Sequence, residues 1–170
     1  HAPTVAGLAP TFGSGAMTNS FADFAKAKMF FVIGSNMTEA HPVAATFLKN
    51  ALEKGAKLIV SDPRRTKLAE FADIHVPIKV GSDVAYLNGL MHVLITENLY
   101  AKDYVESCCT GFDALKAKVM EYPPARVAPI VGISEEMLID VARRLAEMKD
   151  DKAFKSLKEG QSVSFDVTTG

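Results

Sequence analysis

Three short stretches hold residue types that could do binding chemistry: Gly34-Ser35-Asn36 with Glu39 and His41 close behind, Asp62-Pro63-Arg64-Arg65, and Gly81-Ser82-Asp83. Glycines such as Gly34 and Gly81 let a ligand approach the backbone. A carboxylate at the end of a strand, as Asp62 would be, can accept hydrogen bonds from ribose hydroxyls. Arg64 offers a planar fork to phosphate or a base edge. Asp83 can accept from the ring N–H and amino group of guanine, and the Ser82 and Asp83 amides, at a helix start, can meet an anion. Each stretch alone is also ordinary turn chemistry; three on one edge favour a nucleotide site. No Gly-x-Gly-x-x-Gly follows the first apolar run, and Gly13-Ser14-Gly15 lies before it, which disfavours a standard NAD-binding site. His41 reads as a helix-entry residue, His75 and His92 as packing or surface residues, and the methionines as core filler.

The elements that must position these groups follow from hydrophobic period. Met29 to Ile33 and Lys57 to Val60 are compact apolar runs of the kind buried on both faces of a parallel sheet. Ile74 to Val80 is a third strand, with Pro77 marking an edge or an irregularity. Helices are predicted over 41–54, with Val43, Ala44, Phe47, Leu48, Ala51 and Leu52 as the apolar stripe, over 64–73, and over 83–98, with Val84, Leu87, Leu90, Met91 and Leu94 facing the core. Shorter helices are predicted over 20–27, 102–108, 112–121 and 134–148, and residues 1–20 read as loop. Strands alternating with helices give an α/β fold: three layers, a mostly parallel sheet with flanking helices, Rossmann-like. In such a sheet ligands bind beyond the carboxyl ends of the strands, where the three stretches fall. Ser162 to Thr168 alternates polar and apolar, the mark of a half-buried antiparallel-type strand, and reads as an appendage.

Composition narrows the class. The 170 residues are 48% hydrophobic and 23% charged, with a formal net charge of −1. That is an ordinary globular balance, with nothing to attract a polyanion. No apolar run is long enough to span a bilayer. The two cysteines, Cys108 and Cys109, are adjacent, which argues against a disulfide framework and against a cysteine-built zinc or iron–sulfur site. They read as thiols of a reducing compartment, the cytoplasm. The chain opens His1-Ala2-Pro3 without an initiator Met and reads as cut from something longer.

Residues 1 to about 149 resemble a segment of the catalytic α subunit of molybdopterin-dependent formate dehydrogenases, in the dimethyl sulfoxide reductase superfamily. The resemblance rests on His1-Ala2-Pro3-Thr4-Val5-Ala6-Gly7-Leu8, Gly13-Ser14-Gly15-Ala16-Met17-Thr18-Asn19, Val32-Ile33-Gly34-Ser35-Asn36 through His41-Pro42, Ser61-Asp62-Pro63-Arg64, and Lys79-Val80-Gly81-Ser82-Asp83 with Leu87-Asn88. It implies a bis(molybdopterin guanine dinucleotide) cofactor carrying molybdenum or tungsten. It further implies a cofactor-binding set of Gly34, Ser35, Asn36, Glu39, Asp62, Arg64, Gly81, Ser82 and Asp83 around one guanine dinucleotide arm. His1 matches the histidine that follows the metal's cysteine or selenocysteine ligand and helps move the proton released as formate becomes CO2. That ligand, the iron–sulfur segment and the later domains are not in this chain, so the expectation is a cofactor-binding fragment that does not oxidise formate alone and whose partner is the rest of the enzyme.

Residues 150–170 form a second unit. Ala153 to Val167 resembles the later part of a bacterial cold-shock domain, without the aromatic stacking strands of that family. In the formate dehydrogenases a sheet strand follows the helix ending near Lys149; here Ser162 to Thr168 follows instead, and is expected to add to the sheet and cover its open edge. Two other readings stand beside the leading one: a recombined chain that folds without activity, and a weak nucleic-acid-binding module acting through the tail.

Overall fold

A computed structural model describes residues 2–17, 19–147 and 163–164. In chain order the elements are α1 (Ala2–Phe12), β1 (Met29–Ile33), α2 (Met37–Ala40), α3 (Pro42–Glu53), β2 (Lys57–Ser61), β3 (Ile74–Val76), α4 (Asp83–Thr96), α5 (Lys102–Cys108), β4 (Cys109–Thr110), α6 (Phe112–Val119), α7 (Pro124–Val131), α8 (Glu135–Glu147) and β5 (Val163–Ser164). Short 3-10 helices cover Phe21–Lys26 and Lys67–Phe71.

The sheet is parallel, ordered β1-β2-β3, with Phe31 opposite Ile59 and Ile59 opposite Ile74. Period-two alternation splits β2 between the two faces. Leu58 and Val60 pack with Leu48 and Ala51 of α3 and Leu68 of the second 3-10 helix. Ile59 packs with Tyr86, Leu90 and Val93 of α4, Val127 and Val131 of α7, and Leu138 and Val141 of α8. The result is a small parallel sheet flanked by helices, as the alternation of strands and helices predicts. Close approach of α4 to α7 and α8 depends on Gly89: a Cβ there would stand 2.8 Å from Val127 Cγ1 and 3.1 Å from Leu138 Cδ2.

Several elements differ from the sequence reading. Residues 2–12 are helical (α1), where loop was expected. Pro3 lies in the first turn, where its missing N–H is an orphan anyway, and the Thr11 hydroxyl donates to Gly7 O at 2.7 Å. β1 is an edge strand in which Phe30 alone is buried, because among the described residues its outer side has no neighbour in the sheet. β3 stops at Val76: Pro77 has no N–H for a ladder. α2 and α7 were not anticipated, the latter masked by Pro124 and Pro129. Val43 and Val84, assigned to core stripes, are 66% and 70% exposed; Phe47 and Leu87 are exposed as well. Of the tail, Val163–Ser164 pairs in parallel with β4 in a separate two-stranded sheet, not with β1-β2-β3. The rest of the expected strand and of 150–170 lies outside the described residues. Among the described residues no helix is long and apolar enough to cross a membrane.

Candidate functional site

Parallel order turns the carboxyl ends of β1, β2 and β3 to one edge, and backbone hydrogen bonds tie the loops leaving them together. The Gly34 N–H donates to Ser61 O at 3.0 Å, so the first residue past β1 hangs on the last of β2. The Asp62 N–H donates to Val76 O at 3.1 Å, so the first residue past β2 hangs on the last of β3. α4 then returns along the sheet, and the Tyr86 hydroxyl meets Ser61 Oγ at 2.9 Å in the buried interior. Burial pushes the Tyr86 phenol up to about 12, so it stays protonated as a structural post beneath the edge.

Around the first loop, Gly34 adopts φ +58, a left-handed conformation that lets the chain leave β1 sharply. Asn36 starts α2: its carbonyl accepts from the Glu39 and Ala40 amides at 3.1 and 2.9 Å, and its Oδ1 accepts from the Thr38 hydroxyl at 3.2 Å. Ser35 and Asn36 are half-buried; Glu39 and His41 are exposed. His41 joins α2 to α3, as expected of a helix-entry residue.

Asp62 is buried and held from three sides. Besides its amide bond, Oδ1 accepts from the Arg64 N–H at 2.8 Å, and its carbonyl oxygen lies 3.1 Å from His75 Nε2. Arg64 Nε stands 3.9 Å from Asp62 Oδ1 with its side chain 76% exposed, a loose pair that leaves the guanidinium available. His75 therefore positions the Asp62 loop, a role that its place inside a strand concealed. His92 Nδ1 faces Val119 O at 3.2 Å and packs as expected.

At the third loop Gly81 has φ +80, and a Cβ at Gly34 or Gly81 would meet nothing within 4 Å, so both glycines border open space. Ser82 differs from its expected role. It is buried, and both its N–H (3.2 Å) and its hydroxyl (2.6 Å) donate to Lys79 O, so its amide is not offered to an anion. Asp83 remains exposed in the first turn of α4. His1, the expected proton-handling residue, lies outside the described residues.

The edge thus presents an exposed carboxylate, an exposed guanidinium and two glycine turns above a buried, internally bonded base. By residue type such a set is chemically complementary to sugar, base and phosphate groups. Among the described residues no cluster of three or more His, Cys, Asp or Glu could hold a metal ion. An open concavity of about 450 Å³, lined by Glu97, Leu99, Arg143, Ala146 and Glu147, lies at the far end of α4. That is about 20 Å from these loops at 1.5 Å rise per residue.

Known proteins share this fold and sequence. The molybdopterin oxidoreductase family profile matches residues 3–157. Formate dehydrogenase H of Escherichia coli is 41% identical over 149 residues, covering 88% of this chain and 21% of its own length. The acetylene hydratase of Syntrophotalea acetylenica is 49% identical over 115 residues, covering 66% of this chain and 16% of its own. Among solved structures, the acetylene hydratase from Pelobacter acetylenicus superposes with a TM-score of 0.71 at 39% identity, covering 83% of this chain and 19% of that one. The chain spans about a fifth of the length of the curated relatives it matches (21%). A profile match over residues 3–157, together with a solved structure of the same fold at 39% identity, carries the assignment: the chain belongs to the molybdopterin oxidoreductase family.

Proposed function

We propose that this chain is a cofactor-binding segment of a molybdopterin enzyme of the formate dehydrogenase type, with a three-layer Rossmann-like domain over residues 1–149. In this reading its strand-end edge holds the guanine dinucleotide part of the cofactor. The observation that carries it is the gathering of the Asn36, Asp62, Arg64 and Asp83 loops on one edge, tied by the Gly34–Ser61 and Asp62–Val76 bonds. The residues fit such a group. Asp83 is an acceptor for a guanine edge, the second Asp62 oxygen for a ribose hydroxyl, and Arg64 a donor to phosphate. Open space beside Gly34 and Gly81 leaves room for it. Gly34, Ser35, Asn36, Glu39 and Gly81 line the approach, and Ser82 acts by fixing the turn. When bound, such a cofactor, with molybdenum or tungsten, supplies the metal centre that accepts the electron pair leaving formate. His1 would then handle the proton, the remainder of a formate dehydrogenase would be the partner, and this chain alone would be inactive on formate. We place it in the cytoplasm, on its free thiols.

The test is a thermal shift with millimolar GMP, AMP and ribose 5-phosphate on the folded chain. GMP should raise the midpoint most, and Asp83→Ala, at an exposed position, should remove the preference for guanine over adenine. No shift with any of the three would sink the reading. The similarity to acetylene hydratases favours a second possibility for the substrate alone, a hydration in place of formate oxidation; the nucleotide test is indifferent to that choice.

A further inference from the structure

Ladder parity fixes which way each backbone group of β1 points. The Lys57 N–H donates to Lys28 O at 2.8 Å, and the Gly34 N–H donates to Ser61 O at 3.0 Å. With Met29 opposite Lys57 and Ile33 opposite Ser61, the backbone groups of Phe30 and Val32 also face β2. Alternation turns the N–H and C=O of Met29, Phe31 and Ile33 the other way, out of the side of the sheet. Among the described residues these groups meet no hydrogen-bond partner. The strand carries none of the devices that blunt an open edge: Met29-Phe30-Phe31-Val32-Ile33 has no charge and no proline, and no bulge breaks its register. Met29, Phe31 and Ile33 are partly exposed. The opposite edge strand, β3, is short and stops before Pro77, and its last carbonyl, Val76 O, already accepts from the Asp62 and Ile78 amides at 3.1 and 2.9 Å. Val163–Ser164 of the tail pairs with β4, not with β1.

Self-complementarity identifies what fits this edge. The outward residues are spaced evenly about Phe31. A second copy laid antiparallel across a two-fold axis at Phe31 sets Phe31 opposite Phe31, Met29 opposite Ile33 and Ile33 opposite Met29. Each pair then exchanges two N–H···O bonds, and no outward group is left over. The same register sets the flanking Lys28 opposite the neutral Gly34 of the second copy, and Lys26 opposite its Asn36, so like charges do not meet. An arbitrary extended peptide offers backbone groups alone; a second copy matches them in number, register and charge. We propose that β1 is a self-association edge, through which two copies of this chain join their sheets in the order β3-β2-β1-β1-β2-β3. The proposal uses only the backbone of β1 and does not rest on the nucleotide reading above.

The test is sedimentation of the full chain over a concentration series, with amide exchange measured at each concentration. The expected result is a monomer–dimer equilibrium. In the dilute monomer the Phe30, Val32 and Gly34 amides should be protected while those of Met29, Phe31 and Ile33 exchange; as the dimer fills, the second set should become protected too. Met29→Pro removes one outward N–H per copy, at the first position of the strand, where proline is tolerated. It should weaken the dimer by roughly 30-fold. Met29→Leu keeps the N–H and should dimerise as the parent does. A chain monomeric at every concentration, or a dimer in which the Met29, Phe31 and Ile33 amides still exchange, would overturn the proposal. Protection of these amides in the monomer would overturn it as well, since a segment of the same chain would then cover the edge. These readings need no variant, so they decide the matter even where Met29→Pro does not fold.

Discussion

Replacing Thr66 by Val should stabilise this protein. Thr66 is 8% exposed, and its Oγ1 is buried with no hydrogen-bond partner among the described residues. It stands where a threonine would ordinarily cap the 3-10 helix Lys67–Phe71, yet its side chain makes no cap bond. Its backbone does the work: the Thr66 carbonyl accepts from the Ala69 N–H at 2.9 Å, and valine keeps that. Valine substitutes a methyl for the hydroxyl at nearly constant volume. Burying a hydroxyl without a partner costs about 1–3 kcal/mol. Some of that is retained as imperfect packing, so the expected gain is about 1 kcal/mol. For a domain of this size that moves Tm by about 2–4 °C. Urea unfolding followed by far-UV circular dichroism should show a higher midpoint at unchanged slope. Thr66→Ser keeps the hydroxyl and loses a methyl, and should be less stable than the parent by about 1 kcal/mol. If Thr66→Val instead lowers stability by 1 kcal/mol or more, the hydroxyl is bonded, to an ordered water for instance, and the reasoning fails.

Gly89→Ala should lose about 1–2 kcal/mol despite alanine's better helix propensity, because the new methyl runs into Val127 and Leu138; a midpoint at or above the parent's would contradict this packing. His75→Phe should speed amide exchange over residues 62–66 by removing the Nε2 contact to Asp62 O, and His75→Gln should largely restore protection. Partial burial works against ionisation of Asp73, but the Leu58 N–H and Lys57 Nζ, at 2.8 and 2.9 Å, hold its carboxyl below its ordinary range. A depressed folded pKa gives stability that is present above the unfolded value, near 3.9, and lost as pH falls through the lower folded one. Asp73→Asn should therefore flatten the fall in urea midpoint below about pH 4, and an unchanged slope there would remove Asp73 from the account.

What could be read in the sequence was what depends on near neighbours. The β2 run Lys57–Ser61 carries its own signal, four apolar or small residues that end buried after one exposed lysine. The α3 pattern with Pro42 at its start does likewise. The strand-end loops were visible because glycine, aspartate and proline have meaning at fixed offsets from a strand. What stayed hidden depends on partners distant in sequence. Nothing local says that Tyr86 will meet Ser61, or that His75 will meet the carbonyl of Asp62. Nor does helical period say that Val43 and Val84 will face outward, since period fixes a stripe but not what covers it. Proline misled in one direction, by concealing helices: Pro3 and Pro10 in α1, and Pro129 in α7.

The division between inward and outward groups at the strand-end edge bears on what the site can be asked to do. Ser61, Ser82 and one Asp62 oxygen are consumed within the protein, by Tyr86, Lys79 and Arg64. They hold the loops at fixed spacing before any ligand arrives, which lowers the entropy of ordering on binding. Of the groups left over, Arg64 and Asp83 are charged and exposed. An edge built in this way suits a holder, with the chemistry carried by what is held. Under the proposed reading that division also accounts for the similarity of one segment to both a formate dehydrogenase and an acetylene hydratase: a cradle for a shared cofactor is indifferent to the substrate, which other parts of those longer proteins would select.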